Sequence, residues 1–202
     1  MSSSSAQATD LPVAAGAAVG LVTWLLGYAI TYIVVAPDVR DSPLQRFVEA
    51  FEGEPATYEM VGWVFYNAHF ANTVFRDLPI VGSHTTSFVG GEEGFAALLY
   101  LVPIVTLLAG GFALTKYQRI AAPARGATVE LTVLPGYLVA SLAGAFLFEV
   151  TIAGATGAPD LLPAVFLAGI VYPLVFAGGG GAIAGALETR AGESATTSRT
   201  ER

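Results

Sequence analysis

The strongest constraint on this chain is where its charges are absent. Four runs contain no Asp, Glu, Lys or Arg, and together they make up nearly half of the 202 residues: 11–37, 94–115, 131–148 and 161–187. A helix needs about 20 apolar residues to cross the roughly 30 Å hydrocarbon core of a bilayer. Only 12% of all residues are charged, about half the usual share in soluble domains. The sequence therefore predicts an integral membrane protein.

The charge-free runs divide the chain into predicted regions of an all-α membrane helical bundle. We expect four transmembrane helices, one inter-span segment, one basic loop and two disordered tails: helices at 13–35, 95–114, 129–152 and 161–187, a polar and amphipathic segment at 36–94, a cytoplasmic loop at 115–128, and tails at 1–12 and 188–202. The third and fourth helices are joined by a short Gly- and Pro-containing turn, so we expect them to form an antiparallel hairpin.

The segment at 36–94 predicts two amphipathic helices. Ser42 followed by Pro43 is a helix-start signature, and Gly53 is a stop signal. Between them an apolar stripe recurs at helical spacing, formed by Leu44, Phe47, Val48 and Phe51. A second amphipathic helix is predicted at 58–75, followed by an extended loop or small hairpin that ends near residue 94.

The number of spans depends on residues 58–75. With four spans, both termini lie on the same side as the basic loop that carries Lys116, Arg119 and Arg125, and the positive-inside rule makes that side cytoplasmic. With five spans the charge rule is obeyed more strongly, but the fifth segment contains only 16 residues without charge and includes His69 and two asparagines. We therefore prefer four spans and keep five as the alternative.

Three polar residues are the candidate site. Glu149 is embedded in an apolar run, where a carboxylate costs about 2.5 to 3.5 kcal/mol at a helix centre. With His69 and Asn67 it could form a polar path or proton relay through the bundle. The alternative for Glu149 is a solvated carboxylate near a helix end, and the alternative for His69 is a hydrogen bond within its own helix.

Two pairs of glycines predict close helix packing. Gly16 and Gly20 form a G-x-x-x-G pair in the first span, and Gly181 and Gly185 form another in the fourth. Small residues let helices approach each other closely within lipid. We expect packing within one chain, with oligomerisation as the alternative.

Composition excludes several classes of function. Sixteen acidic residues face nine basic ones, which leaves no basic surface for nucleic acid. Only one of the nine is lysine, and this balance is typical of proteins from halophiles, whose surface carboxylates keep them soluble in concentrated salt. The sequence has no cysteine and no recognised catalytic or nucleotide-binding motif. We therefore expect no enzyme activity, no cofactor and no metal site.

The stretch Gly62-Trp63-Val64-Phe65-Tyr66-Asn67-Ala68-His69-Phe70, with the spans around it, resembles a family of uncharacterised polytopic membrane proteins of haloarchaea. The resemblance implies a membrane-embedded helical fold and a halophilic archaeal host, and it implies no activity or site residues.

These observations favour a non-enzymatic accessory or scaffold component of a cell membrane, which crosses the bilayer several times. Its expected partners are the lipid bilayer and either a second copy of the chain or another membrane protein. A small oligomeric permease or channel, with Glu149, His69 and Asn67 along its path, is the alternative.

Overall fold

The computed structural model describes residues 13–90 and 94–200, so the predicted tail at 1–12 lies outside the described residues. Its helices are α1 Val13–Asp41, α2 Pro43–Glu52, α3 Thr57–Asn67, α4 Leu101–Tyr117, α5 Pro123–Val129, α6 Leu134–Leu147, α7 Leu161–Pro163 and α8 Gly178–Thr200. Two 3-10 turns, Ala97–Tyr100 and Glu130–Thr132, lead into α4 and α6. Two π-helical stretches, Ala164–Val171 and Pro173–Ala177, join α7 to α8.

Four continuous helical segments are long and apolar enough to cross a membrane: Val13–Asp41, Ala97–Tyr117, Pro123–Leu147 and Leu161–Gly192. This confirms the expectation of four such helices. The five-span alternative required a crossing at residues 58–75. The helix there, α3, has only 11 residues, and at 1.5 Å per residue it is about 16 Å long, half of a bilayer core.

The boundaries of the helices differ from the sequence-based prediction in several places. The first helix, expected to end at residue 35, continues to Asp41. The helix expected as far as residue 152 ends at Leu147. The predicted basic loop at 115–128 is shortened because α5 begins at Pro123. The predicted disordered tail at 188–202 is helical through Thr200. In this last case Glu188 forms an ion pair with Lys116, and the Thr189 hydroxyl donates to Ala121 O, so contacts with α4 and the turn after it extend α8.

A small antiparallel sheet corrects the expectation of an all-α fold. Its strands are β1 Thr73–Leu78, β2 Gly82–Thr86, β3 Val150–Ile152 and β4 Ala155–Pro159, in the order β2-β1-β4-β3. The sequence left an extended loop or a small hairpin open after residue 78; the turn and second strand of the hairpin β1–β2 lie there, whereas its first strand begins at Thr73, within the predicted helix. The central pairing joins β1 to β4, which follows it by about 80 residues, with Thr73 opposite Pro159. This pairing replaces the end of the helix that the sequence predicted over 58–75.

At the end of the bundle next to the sheet, the third span is short. Helix α3 occupies the space beyond its last residue. Gly144 of α6 packs against Trp24 of α1, and Phe148 stacks on Tyr28 with ring centroids 5.1 Å apart. From the level of Tyr28, α1 continues to Asp41, about 20 Å further. We call the end of the bundle that lies next to the sheet the α3 end, because every residue of α3 except Tyr58 and Glu59 is buried there.

Helix α2 lies outside this core, directly after α1. The Ser42 hydroxyl accepts the Gln45 backbone N–H at 3.1 Å, and Gly53 ends the helix with a left-handed φ of 78°. Both observations confirm the predicted ends. The expected apolar stripe is divided, however, because Val48 is buried while Phe47 and Phe51 are 51% and 60% exposed.

Candidate functional site

Two of the three predicted site residues lie together at the C-terminal end of α3. Asn67 is 1% exposed and its amide has a partner for every polar atom. Nδ2 donates to Ala71 O at 2.8 Å and to Thr73 Oγ1 at 3.3 Å, and Oδ1 accepts the Phe88 backbone N–H at 2.7 Å. The side chain therefore fixes the turn that leads from α3 into β1 and ties it to the segment after β2.

His69 is completely buried, and both ring nitrogens are bonded. Nδ1 lies 2.8 Å from Phe65 O, which can only accept, so Nδ1 carries the proton. Nε2 then accepts from the Tyr137 hydroxyl at 2.7 Å. Burial lowers the pKa of His69 from 6.5 to about 4, against a smaller opposing effect of the hydrogen bond to Phe65 O. The imidazole is therefore neutral near pH 7.

Further hydrogen bonds from aromatic side chains join α3 to the third and fourth spans. The Trp63 indole N–H donates to Phe148 O at 2.6 Å, just beyond the end of α6. The Tyr66 hydroxyl donates to Ser141 O, and the Tyr172 hydroxyl donates to Ala68 O at 3.2 Å. Burial raises the pKa of Tyr66 well above its usual value, so the phenol remains protonated. We define the polar centre as Asn67 and His69 together with four aromatic donors: Trp63, Tyr66, Tyr137 and Tyr172.

Glu149 does not join the polar centre. It lies between the C-terminal end of α6 and β3, and its side chain is exposed. The structure therefore places it at a helix end, which is the alternative that the sequence left open. His69 and Asn67 come together, and neither of them meets Glu149.

The glycine pairs pack within the chain. A Cβ built on Gly16 or Gly20 would collide with Thr132 or with the Val133 carbonyl oxygen, both at the start of the third span. The fourth-span pair packs on the segment around α5: Gly181 on Gly126 and Gly185 on Ala122. These contacts agree with the expected packing within one chain.

Two small apolar cavities of about 90 Å³ each flank Leu44 and Trp63, beneath α2. One lies toward α1 and α3, and the other lies against the sheet, where Phe47, Phe75 and Val150 contribute to its wall. Asn67, His69 and Glu149 line neither of them. Over the described part of the chain, no group of three or more His, Cys, Asp or Glu side chains is arranged to hold a metal ion.

Sequence reasoning missed two sets of residues. The hydroxyls of Tyr137 and Tyr172 complete the polar centre, and the signal was present as two tyrosines inside apolar runs. Glu130, the second residue of the helix predicted at 129–152, is 2% exposed at the opposite end of the bundle and was not among the predicted site residues. Its position directly before the charge-free run 131–148 was the available signal.

The fold is that of a mostly helical protein with four helices long and apolar enough to cross a membrane and a short buried helix at one end. The chain belongs to DUF7978, a family of unknown function whose model matches residues 1–188. No curated protein and no solved structure matches the chain.

Proposed function

We propose that this protein is a multi-pass component of the cell membrane of a halophilic archaeon, and that it acts there without catalysis, as an accessory or scaffold subunit. The four apolar helices support the membrane location. Low lysine content and excess acidic residues support the halophilic host. Lys116 and Arg125 lie in the adjoining ends of the second and third spans, and Arg119 lies in the turn between them, which favours a cytoplasmic position for that end.

The observation that carries the accessory role is the exposed aromatic pair on α2. The ring centroids of Phe47 and Phe51 lie 4.6 Å apart, and both side chains are more than half exposed. Aromatic side chains are enriched where proteins bind one another. Because Val48 and Leu44 already hold α2 on the bundle, the aromatic pair is available to a second membrane protein.

The arrangement of polar groups favours this role over a permease or channel. A polar path requires side chains that can exchange partners with a passing solute. In the polar centre, the amide of Asn67 and both nitrogens of His69 are bonded within the protein, and Glu149 is exposed away from them.

Topology can be tested with single cysteines, because the natural chain has none. We expect a membrane-impermeant thiol reagent to label Glu54→Cys and Ser83→Cys from the same side of the membrane, and Tyr117→Cys only from the other side. Labelling of Glu54→Cys and Ser83→Cys from opposite sides would refute the four-span arrangement.

The binding surface can be tested by placing a photo-crosslinking residue at Phe47 or Phe51 in native membranes. We expect both positions to give an adduct with the same protein. Val22, which is 60% exposed on α1, is the matched control and should give lipid adducts alone. If the two α2 positions also capture lipid alone, α2 is an interfacial membrane helix and the accessory proposal fails.

A further inference from the structure

Glu130 occupies an unusual position at the end of the bundle opposite α3. It lies in the 3-10 turn Glu130–Thr132, between α5 and α6 and inside the third candidate span. Among the Asp, Glu, Lys and Arg side chains that the structure describes, it is the only one that is buried. Charged side chains inside a membrane helix are rare and commonly functional.

The two carboxyl oxygens of Glu130 have different surroundings. The Thr115 hydroxyl donates to Oε1 at 2.8 Å. Oε2 is also buried, and no hydrogen-bond partner for it exists among the described groups. The side chain is enclosed by glycine backbone, since a Cβ built on Gly181 would lie 2.6 Å from Glu130 Cγ and 2.7 Å from Gly126 O. There is no room at this contact for the fourth span to carry a side chain.

None of the described basic side chains forms an ion pair with Glu130. On α4, Lys116 follows Thr115, but its ammonium group is paired with Glu188 of α8. Arg125 on α5 and Arg190 on α8 are the other basic residues of the enclosing elements whose side chains the structure describes; each has an interaction partner of its own, and neither forms an ion pair with Glu130. The facing part of α1, around Gly16, carries no charge, and neither does α6.

A buried carboxylate with one oxygen unpaired and no counterion is costly, whereas a protonated carboxyl is neutral and can also donate a hydrogen bond. We propose that Glu130 is a proton-binding site: its carboxyl holds one exchangeable proton in the folded bundle, and release of that proton loosens the contact between α5 and α8. The negative charge left after release would face the Gly126 and Gly181 backbones without compensation.

Infrared spectroscopy of the purified full-length protein tests the proton directly. We expect the C=O stretching band of a protonated carboxylic acid at neutral pH, and its loss as the pH is raised. The band should be absent from Glu130→Gln and retained in Glu149→Gln, which makes the same change at an exposed carboxylate. Absence of the band from the unsubstituted protein at neutral pH, a measurement that needs no variant, would overturn the proposal.

Thermal unfolding provides the second readout. The Tm of the unsubstituted protein should fall as the pH rises above about 4.3, where the carboxyl of the unfolded chain ionises while that of the folded protein still holds its proton, and it should level off once both are ionised. Glu130→Gln, which resembles the protonated form in shape and charge, should show a flatter pH dependence. Equal slopes for the two proteins would contradict a proton site at Glu130. If Na⁺ at constant pH raises the Tm of the unsubstituted protein alone, and the infrared band is missing, the site binds Na⁺ and the proton proposal is wrong.

Discussion

The two ends of the bundle are closed by different kinds of contact. At the α3 end, Asn67, His69 and the tyrosine hydroxyls around them are joined by hydrogen bonds between side chains and backbone, while the Trp24 indole N–H, the Gln45 amide and the Ser141 hydroxyl are buried there without a partner among the described residues. At the opposite end, helices approach through glycines, and Glu130, the one acid that is buried among the described side chains, has a partner for only one of its two oxygens.

This difference distinguishes buried polar groups that only stabilise the fold from buried polar groups that can still bind a proton or a ligand. A buried polar group whose bonds are complete is stabilising because each partner would otherwise be left unpaired. A buried carboxyl with one unpaired oxygen is stabilised when that oxygen binds a proton or another ligand. Burial alone therefore does not identify a functional residue in this bundle, and the hydrogen-bond partners of each group decide the matter.

Among the substitutions that test the difference between the two ends, replacement of Asn67 should change the free energy of unfolding most. In Asn67→Ala, Ala71 O and the Phe88 N–H lose their partners, and we expect the free energy of unfolding to fall by about 4 kcal/mol. Denaturant unfolding of the purified protein measures this loss. Asn72→Ala, at an exposed position five residues later, should change stability little. Equal effects of the two substitutions would show that the Asn67 bonds contribute nothing net.

The neutral state of His69 predicts acid sensitivity at the α3 end. The unfolded chain binds a proton at His69 below pH 6.5, whereas the folded protein does so only near pH 4. Stability should therefore fall as the pH decreases through this window, by about 3 kcal/mol in total. The measurement is the free energy of unfolding against pH for the unsubstituted protein and His69→Gln, with the exposed His84→Gln as control. The prediction fails if His69→Gln retains the same acid dependence as the unsubstituted protein.

Two glycines of one tract should respond with opposite signs. A Cβ at Gly181 meets Gly126 O and the Glu130 side chain, so we expect Gly181→Ala to lower the free energy of unfolding by about 2 kcal/mol. At Gly178 there is nothing within 4 Å of the added Cβ, and Gly178→Ala should raise it by up to about 1 kcal/mol, because alanine favours helix. If both variants lose stability, the close contacts at Gly181 do not explain its sensitivity, and the glycine contacts do not hold the opposite end of the bundle together.

The smallest change in stability is expected when a single hydroxyl group is removed. Tyr137→Phe removes the donor to His69 Nε2 without changing the ring, and we expect a loss of about 1 kcal/mol in thermal or denaturant unfolding. Tyr117, which is 80% exposed, provides the matched control Tyr117→Phe. A neutral result at residue 137 would mean that water or another donor replaces the hydroxyl.

Features that depend on local sequence could be predicted. The four apolar helices follow from charge-free runs, and the ends of α2 follow from Ser42 and Gly53, because both signals act within one helical turn. The exposed face of α2 could not be predicted, because apolar spacing identifies Phe47 and Phe51 without showing which neighbours are left to cover them.

Features that depend on distant partners could not be predicted. Residues 73–75 continue an apolar pattern and were assigned to a helix, but β4 provides a strand for them to pair with. His69 looked like a candidate for a polar path because its partner, Tyr137, is 68 residues away. Glu130 could not be identified as a buried acid because Thr115 and Gly181, which enclose it, come from two other spans.

The pairing of β1 with β4 also determines the order in which the molecule can be completed. At a synthesis rate of about 5 to 20 residues per second, roughly 4 to 16 s separate these strands as the chain emerges. During that interval Trp63 lacks Phe148, and β1 lacks its neighbour on one side. Until the hairpin β3–β4 has emerged, the α3 end of the bundle stays open, so the emergence of this hairpin is the step that allows that end to close.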